Sequence, residues 1–133
     1  MTTLQYRTDA LLTAAQVADL FRASGIRRPV DDLPRLQRML DGADLVISVW
    51  AGDQLVGLCR ALTDFSYCCY LSDLAVHRDW QRQGIGRQMV ENLRQYIGEG
   101  CSLLLLSAPE AMDYYPGLGF ERVDNAFLIK RKA

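Results

Sequence analysis

The run Leu74-Ala75-Val76-His77-Arg78-Asp79-Trp80-Gln81-Arg82-Gln83-Gly84-Ile85-Gly86-Arg87 reads as the end of a strand, a loop, a glycine pair and the start of a helix. Glycine lets a backbone come close to a ligand, and the first N–H groups of a helix have no partner inside it. With the positive end of the helix dipole, such donors make an anion site. Arg82 and Arg87 add side chains able to form charge-assisted contacts. Phosphate, and a diphosphate best, is the chemistry this combination suits. Glycines at a helix start also serve as plain turn residues, so the surroundings of the run must be read with it.

Two phosphate-binding patterns do not fit. A dinucleotide loop wants a third glycine or alanine where this chain has Met89, and a tighter strand-to-helix turn than the one from His77 to Gln83. The run G-x-x-x-x-G-K-[S/T] is absent. After the glycine pair, Ile85, Met89, Leu93 and Ile97 recur every four residues, which predicts a helix that Gly98 and Gly100 end. Before it, Leu45–Trp50, Leu55–Leu58 and Tyr67–Val76 read as strands, the first two joined by a Gly52-Asp53 turn. Leu103–Leu106 is a short apolar run that suits a strand covered on both faces. Pro109 opens a brief helix that Pro116-Gly117 closes, and Phe127–Ile129 reads as a last strand.

Toward the amino terminus, Leu4–Arg7 reads as a short strand. Thr13 and Gln16 form a capping box ahead of a helix that buries Ala14, Val17, Ala18 and Phe21 and stops at Gly25. A second helix follows Asp32, with Pro34 in its first turn, and buries Leu33, Leu36, Met39 and Leu40 before Gly42. The expected architecture is one mixed α/β domain over residues 1–133, with helices packed on a mostly antiparallel sheet.

Composition narrows the function classes. Fifteen basic against 16 acidic residues give a net charge of -1, too little field to hold nucleic acid by its backbone. The cluster Lys130-Arg131-Lys132 reads as a solvated tail. No apolar run reaches signal-peptide or membrane-span length, so no membrane partner is expected. Cys59, Cys68, Cys69 and Cys101 lack paired spacing, and the single His77 leaves too few ligands for zinc. The expectation is a cytoplasmic, metal-free chain with reduced thiols, monomeric or a homodimer.

Gln81-x-x-Gly84-x-Gly86, after a strand ending Asp73-Leu74-Ala75-Val76, resembles the Q/R-x-x-G-x-G/A motif of the GNAT superfamily of acyl-CoA N-acyltransferases. Ala111-Met112-Asp113-Tyr114-Tyr115-Pro116-Gly117-Leu118-Gly119-Phe120 resembles that family's second mark, an alanine, a tyrosine four residues on, then G-F. The likeness spans roughly Leu45 to Lys130, with the two amino-terminal helices where the family recognises its acceptor. It implies a GNAT-like fold and transfer of acetyl from acetyl-CoA to an amine of a small molecule or peptide, by direct attack in a ternary complex.

The resemblance also implies residue roles. Gln81, Arg82, Gln83, Gly84, Ile85, Gly86 and Arg87 would wrap the CoA pyrophosphate. Leu74, Ala75 and Val76 would offer backbone groups to the pantetheine arm and the thioester carbonyl. An amide near Leu74 would face the developing oxyanion. Tyr115 would stand near the sulfur as a proton donor, while Tyr114 packs elsewhere. Asp73 is the candidate base, with Asp64 and Glu110 as rivals and a structural role for Asp73 open. Ala108 stands where many members have asparagine, and Pro116-Gly117 replaces a usual Glu or Lys. Both departures leave the acceptor unidentified. Arg27 and Arg28, between the first two helices, could meet an acidic group or simply lie exposed. Trp50, Phe65 and Tyr67 could line an acceptor pocket or pack. A CoA-binding sensor or interaction module that keeps the fold without turnover is the alternative.

Overall fold

The computed structural model describes residues 3–133. Five strands form one sheet in chain order: β1 (Leu4–Arg7), β2 (Leu45–Ala51), β3 (Gln54–Thr63), β4 (Cys68–Val76) and β5 (Ser102–Leu104). The first four are antiparallel to their neighbours, and β5 lies parallel to β4. A parallel pair needs a crossover, which α3 (Ile85–Ile97) supplies. The helices α1 (Ala14–Ser24) and α2 (Leu33–Asp41) sit between β1 and β2 in the chain.

The helix boundaries have local causes. At α1, the Gln16 N–H donates to Thr13 Oγ1 at 3.1 Å and the Thr13 N–H to Gln16 Oε1 at 3.1 Å, so two free helix-end donors are satisfied reciprocally. At α2, the Arg35 N–H donates to Asp32 Oδ1 at 3.1 Å. Ile85, Met89, Leu93 and Ile97 form the buried stripe of α3, as their spacing predicts. Met89 and Leu93 are fully buried, each contributing about 2 kcal/mol of transfer free energy.

The sheet has a core on each face. On one side α3 packs with Ile47, Cys59, Ala61, Cys69 and Leu71. On the other, α1 and α2 bring Val17, Ala18, Phe21 and Leu36 against Leu58 and Ala75. Strict alternation would keep Leu71, Asp73 and Ala75 on one face. The β3–β4 register shifts by one, because Arg60 pairs with Asp73 and Ala61 with Leu71, and Ser72 has no opposite residue. This bulge turns Asp73 and Ala75 from the α3 face to the α1–α2 face.

Four expectations need correction. Leu103–Leu106 is not a strand covered on both faces: β5 ends at Leu104 on the sheet's edge, where Leu104 and Leu106 are exposed. Phe127–Ile129 forms no strand; those side chains are exposed and no neighbouring strand supplies the ladder that a three-residue strand requires. The single helix after Pro109 is instead two short 3₁₀ turns, Pro109–Ala111 and Tyr115–Leu118, with Pro116 inside the second and Gly119 closing it. Leu33, predicted buried, is 42% exposed at the first position of α2. No helix among the described residues is long and apolar enough to cross a membrane.

Candidate active site

Beyond Tyr70, β4 loses one neighbour. β5 pairs with Cys68, Cys69 and Tyr70 and then ends, whereas β3 follows β4 as far as Val76. Among the described residues no strand pairs with the outer edge of β4 from Leu71 to Val76. That edge contains Leu74, Ala75 and Val76 and runs into the loop before α3. A backbone edge left free in this way can accept an extended ligand as it would another strand.

The loop is tied down by its own side chains. His77 Nδ1 accepts from the Asp79 N–H at 3.1 Å, and Gln81 Nε2 donates to the Val76 carbonyl at 2.9 Å. Arg82 has φ of 63°, a left-handed conformation that non-glycine residues seldom adopt, and Gly84 follows with φ of 84°. Such strain in a loop at a helix start is the kind that functional sites retain. The first bond of α3 runs from the Gln88 N–H to the Gly84 carbonyl, 3.0 Å, so the N–H groups of Ile85, Gly86 and Arg87 have no acceptor inside the helix. Gly84 supplies no side-chain cap. Arg87 turns its guanidinium to the Gly117 carbonyl at 2.7 Å, while the Arg82 and Gln83 residues are exposed.

The two tyrosines touch each other but meet different partners at this junction. A Cβ built on Gly86 would fall on the Tyr114 hydroxyl, so glycine here makes room for that ring at the first turn of α3. Tyr115 is half-buried, edge-on to Tyr114 at 5.2 Å and to Phe120 at 5.7 Å. Burial pushes the Tyr115 hydroxyl's pKa above the ordinary phenol value; Tyr114 adds to this and Arg28 opposes it. Burial likewise raises Tyr114, with Arg87 opposing. Both hydroxyls are therefore proton donors at neutral pH.

Asp73 is fully buried at the bulge. One carboxylate oxygen accepts from Arg28 Nε and the other from Arg60 Nε. Arg28 Nη2 also donates to the Ser72 carbonyl at 2.7 Å, and Arg60 Nη2 to Ser72 Oγ at 2.8 Å. Arg28 thus satisfies the carbonyl of the residue that the bulge leaves without an opposite partner, and Arg60 satisfies its hydroxyl. Of the rival carboxylates, Asp64 braces the β3–β4 turn by accepting from the Ser66, Tyr67 and Cys68 N–H groups at 2.9, 2.8 and 3.1 Å. These bonds hold its carboxyl below the usual range. Glu110 is exposed.

A separate cleft lies elsewhere. About 1030 Å³ opens beside the carboxyl-terminal half of α3, bounded by Arg94, Glu99, Ser102 and Glu121. It faces the negative end of the helix dipole, with Glu91, Glu99 and Glu121 on its wall, which disfavours a polyphosphate.

A profile of the acetyltransferase (GNAT) domain matches residues 19–130. The chain belongs to the GNAT family. A curated relative, "Uncharacterized N-acetyltransferase ycf52" of Pyropia yezoensis, is 29% identical over 103 residues, covering 71% of this chain and 56% of the relative. The chain thus spans little more than half the length of that relative. Among solved structures, a GNAT-family acetyltransferase from Streptococcus pneumoniae superposes with a TM-score of 0.76 at 23% identity, covering 99% of this chain and 100% of that one. An aminoglycoside N-acetyltransferase solved with CoA gives a TM-score of 0.74 at 16% identity, covering 100% and 97%. These likenesses establish the GNAT fold for this chain.

Sequence reasoning passed over two features of this GNAT domain. The arginine pair on Asp73 had a signal: Arg60 and Asp73 are single opposite charges inside apolar runs of neighbouring strands. A charge placed so must be paired. The position of Tyr114 against Gly86 had no signal, since it depends on how the irregular segment after β5 folds back onto α3.

Proposed function

We propose that this chain binds acetyl-CoA along the free edge of β4 and transfers the acetyl group to an amine. The observation that carries the reading is the continuity of an unpaired strand edge with the free amides at the start of α3. Leu74, Ala75 and Val76 would pair their backbone with the pantetheine arm, and Gln81 through Arg87 would take the pyrophosphate. Because the Gln81 and Arg87 side chains are bonded within the fold, their share of that contact is through the backbone, with Arg82 as the free cation.

In the reaction the amine nitrogen attacks the thioester carbonyl and an amide near Leu74 donates to the oxygen that becomes negative. The carbon–sulfur bond then breaks, and Tyr115 gives its proton to the departing thiolate. The nitrogen's surplus proton leaves to solvent, from which the Tyr115 phenolate is reprotonated. Asp73 serves in this account as the buried counter-ion of Arg28 and Arg60 rather than as a base, because both of its oxygens are occupied and no part of it is exposed.

The test has two arms. Acetyl-CoA is expected to raise the melting temperature far more than ATP or NAD at equal concentration, and Gly84→Val is expected to lose the shift. Thiol release from acetyl-CoA is then followed across a panel of amines. An equal response to all three nucleotides would remove the site assignment. A specific shift with no thiol release from any amine would favour a CoA-binding module.

A further inference from the structure

The cluster around Asp73 is not electrically balanced. Two guanidinium groups face one carboxylate, and among the described residues neither arginine has another carboxylate within ion-pair distance. One positive charge is therefore left over in a partly desolvated place, a costly arrangement unless a further anion joins it. The surplus is not equally accessible. The Arg60 side chain is 9% exposed and its Nη1 is directed at the Met39 carbonyl, 3.3 Å away. The Arg28 side chain is 26% exposed. Its three nitrogens donate to Asp73, the Arg27 carbonyl and the Ser72 carbonyl. A guanidinium carries five N–H donors, so two remain without a protein acceptor.

The location matters as much as the charge. Arg28 comes from the link between α1 and α2, and it is pinned at the Ser72 bulge, where β4 parts from β5. Its field also reaches the Tyr115 hydroxyl. A fixed cation with free donors thus stands on the α1–α2 side of the open edge, across β4 from the α3 face.

We propose that Arg28 receives an anionic group of the acceptor, so that the favoured acceptors are amines bearing a carboxylate close to the nitrogen, as amino acids do. This rests on the acyl-transfer reading above and adds the acceptor's class to it. A planar guanidinium held at Nε by Asp73 presents its remaining N–H groups in a fixed direction, which suits a carboxylate better than a mobile ammonium would. Polycationic amines meet like charge at the same point and are disfavoured.

The test compares matched acceptors: a series of α-amino acids, their primary carboxamides and the corresponding decarboxylated amines. Values of kcat/KM are measured for wild type, Arg28→Gln and Arg28→Lys. Taking the acid-to-amide ratio within each protein, then comparing proteins, cancels the difference in amine basicity. The ratio is expected to fall about tenfold in Arg28→Gln, as loss of a charge-assisted bond implies, and less in Arg28→Lys. Arg28→Gln leaves Asp73 and Arg60 as a neutral pair, and a retained acetyl-CoA shift in melting temperature reports that the variant is folded. An unchanged ratio overturns the proposal. So does a wild type that acetylates the amides or decarboxylated amines in preference to the acids. Failure of acetyl-CoA to bind or to release thiol with any amine would remove the acyl-transfer reading itself, a result distinct from either of these.

Discussion

The two ends of β4 begin from the same apolar strand chemistry and finish differently. At Cys68–Tyr70 the strand is paired on both sides, by β3 and by β5. From Leu71 to Val76 it keeps β3 alone, carries the Ser72 bulge and leads into the strained loop before α3. The first end is ordinary sheet, in which backbone groups are satisfied by neighbours and side chains fill the core. At the second, backbone capacity is left over on the edge, and the bulge turns a carboxylate into a cluster of arginines. One strand thus supplies rigidity at one end and unspent hydrogen bonding at the other. A binding site on a rigid element holds its geometry better than one on a loop.

Asp73→Asn tests the cluster with the largest expected effect. It leaves two largely buried guanidinium groups without a counter-ion, which costs about 3–5 kcal/mol when one partner of a buried pair is removed. Urea unfolding measures it. If Asp73 were a base as well, kcat/KM would also fall, and that loss would fade at alkaline pH as the amine loses its proton unaided.

Tyr115→Phe sharpens the chemistry at the open end. The ring and its contacts with Tyr114 and Phe120 remain, so the unfolding midpoint should hardly move. Loss of a general acid should lower kcat and kcat/KM together, by about 10²-fold. Because burial raises the hydroxyl's pKa, the wild-type rate should lose this contribution only above the ordinary phenol value of about 10. Stability follows the same sign, with the protonated ring's contribution present below that pH and lost as pH rises through the folded value. Full turnover in Tyr115→Phe would remove the acid assignment and leave the strand-edge site untouched.

Gly86→Ala is the smallest expected effect and separates two reasons for the glycine. The added Cβ meets the Tyr114 hydroxyl, the end of a half-exposed side chain that can swing away. Alanine's better helix propensity offsets part of the crowding, about 1 kcal/mol on each side. Tyr114→Phe should therefore restore about 1 kcal/mol to Gly86→Ala and less to wild type, read as coupling in a double-mutant cycle. Additive effects would mean that the hydroxyl is not what glycine accommodates.

How much of this was legible in the residues varies along the chain. The elements up to Ile97 followed from caps and periodicity, because Thr13–Gln16, Asp32 and the Ile85–Ile97 stripe act locally and agree with the packing. The Ser72 bulge was not legible. Asp73 reads as one more alternating position until the register with β3 shifts, and that shift is a property of two strands together. After β5 local signals and outcome part. Phe127-Leu128-Ile129 has strand composition but no partner to pair with, and composition alone cannot supply one. The segment after Pro109 became two short turns, and Pro116, lacking an N–H, cannot donate the bond that one continuous helix would need there.

The central claim is that the free end of β4 and the first turn of α3 together seat acetyl-CoA. Amide hydrogen exchange, followed with and without acetyl-CoA, tests it at the residues concerned. Added protection is expected across Leu71–Val76 and at Ile85, Gly86 and Arg87, with Cys68–Tyr70 unchanged because that end is already paired. Protection confined to the cleft beside Arg94, Ser102 and Glu121, or an equal gain at both ends of β4, would contradict the account.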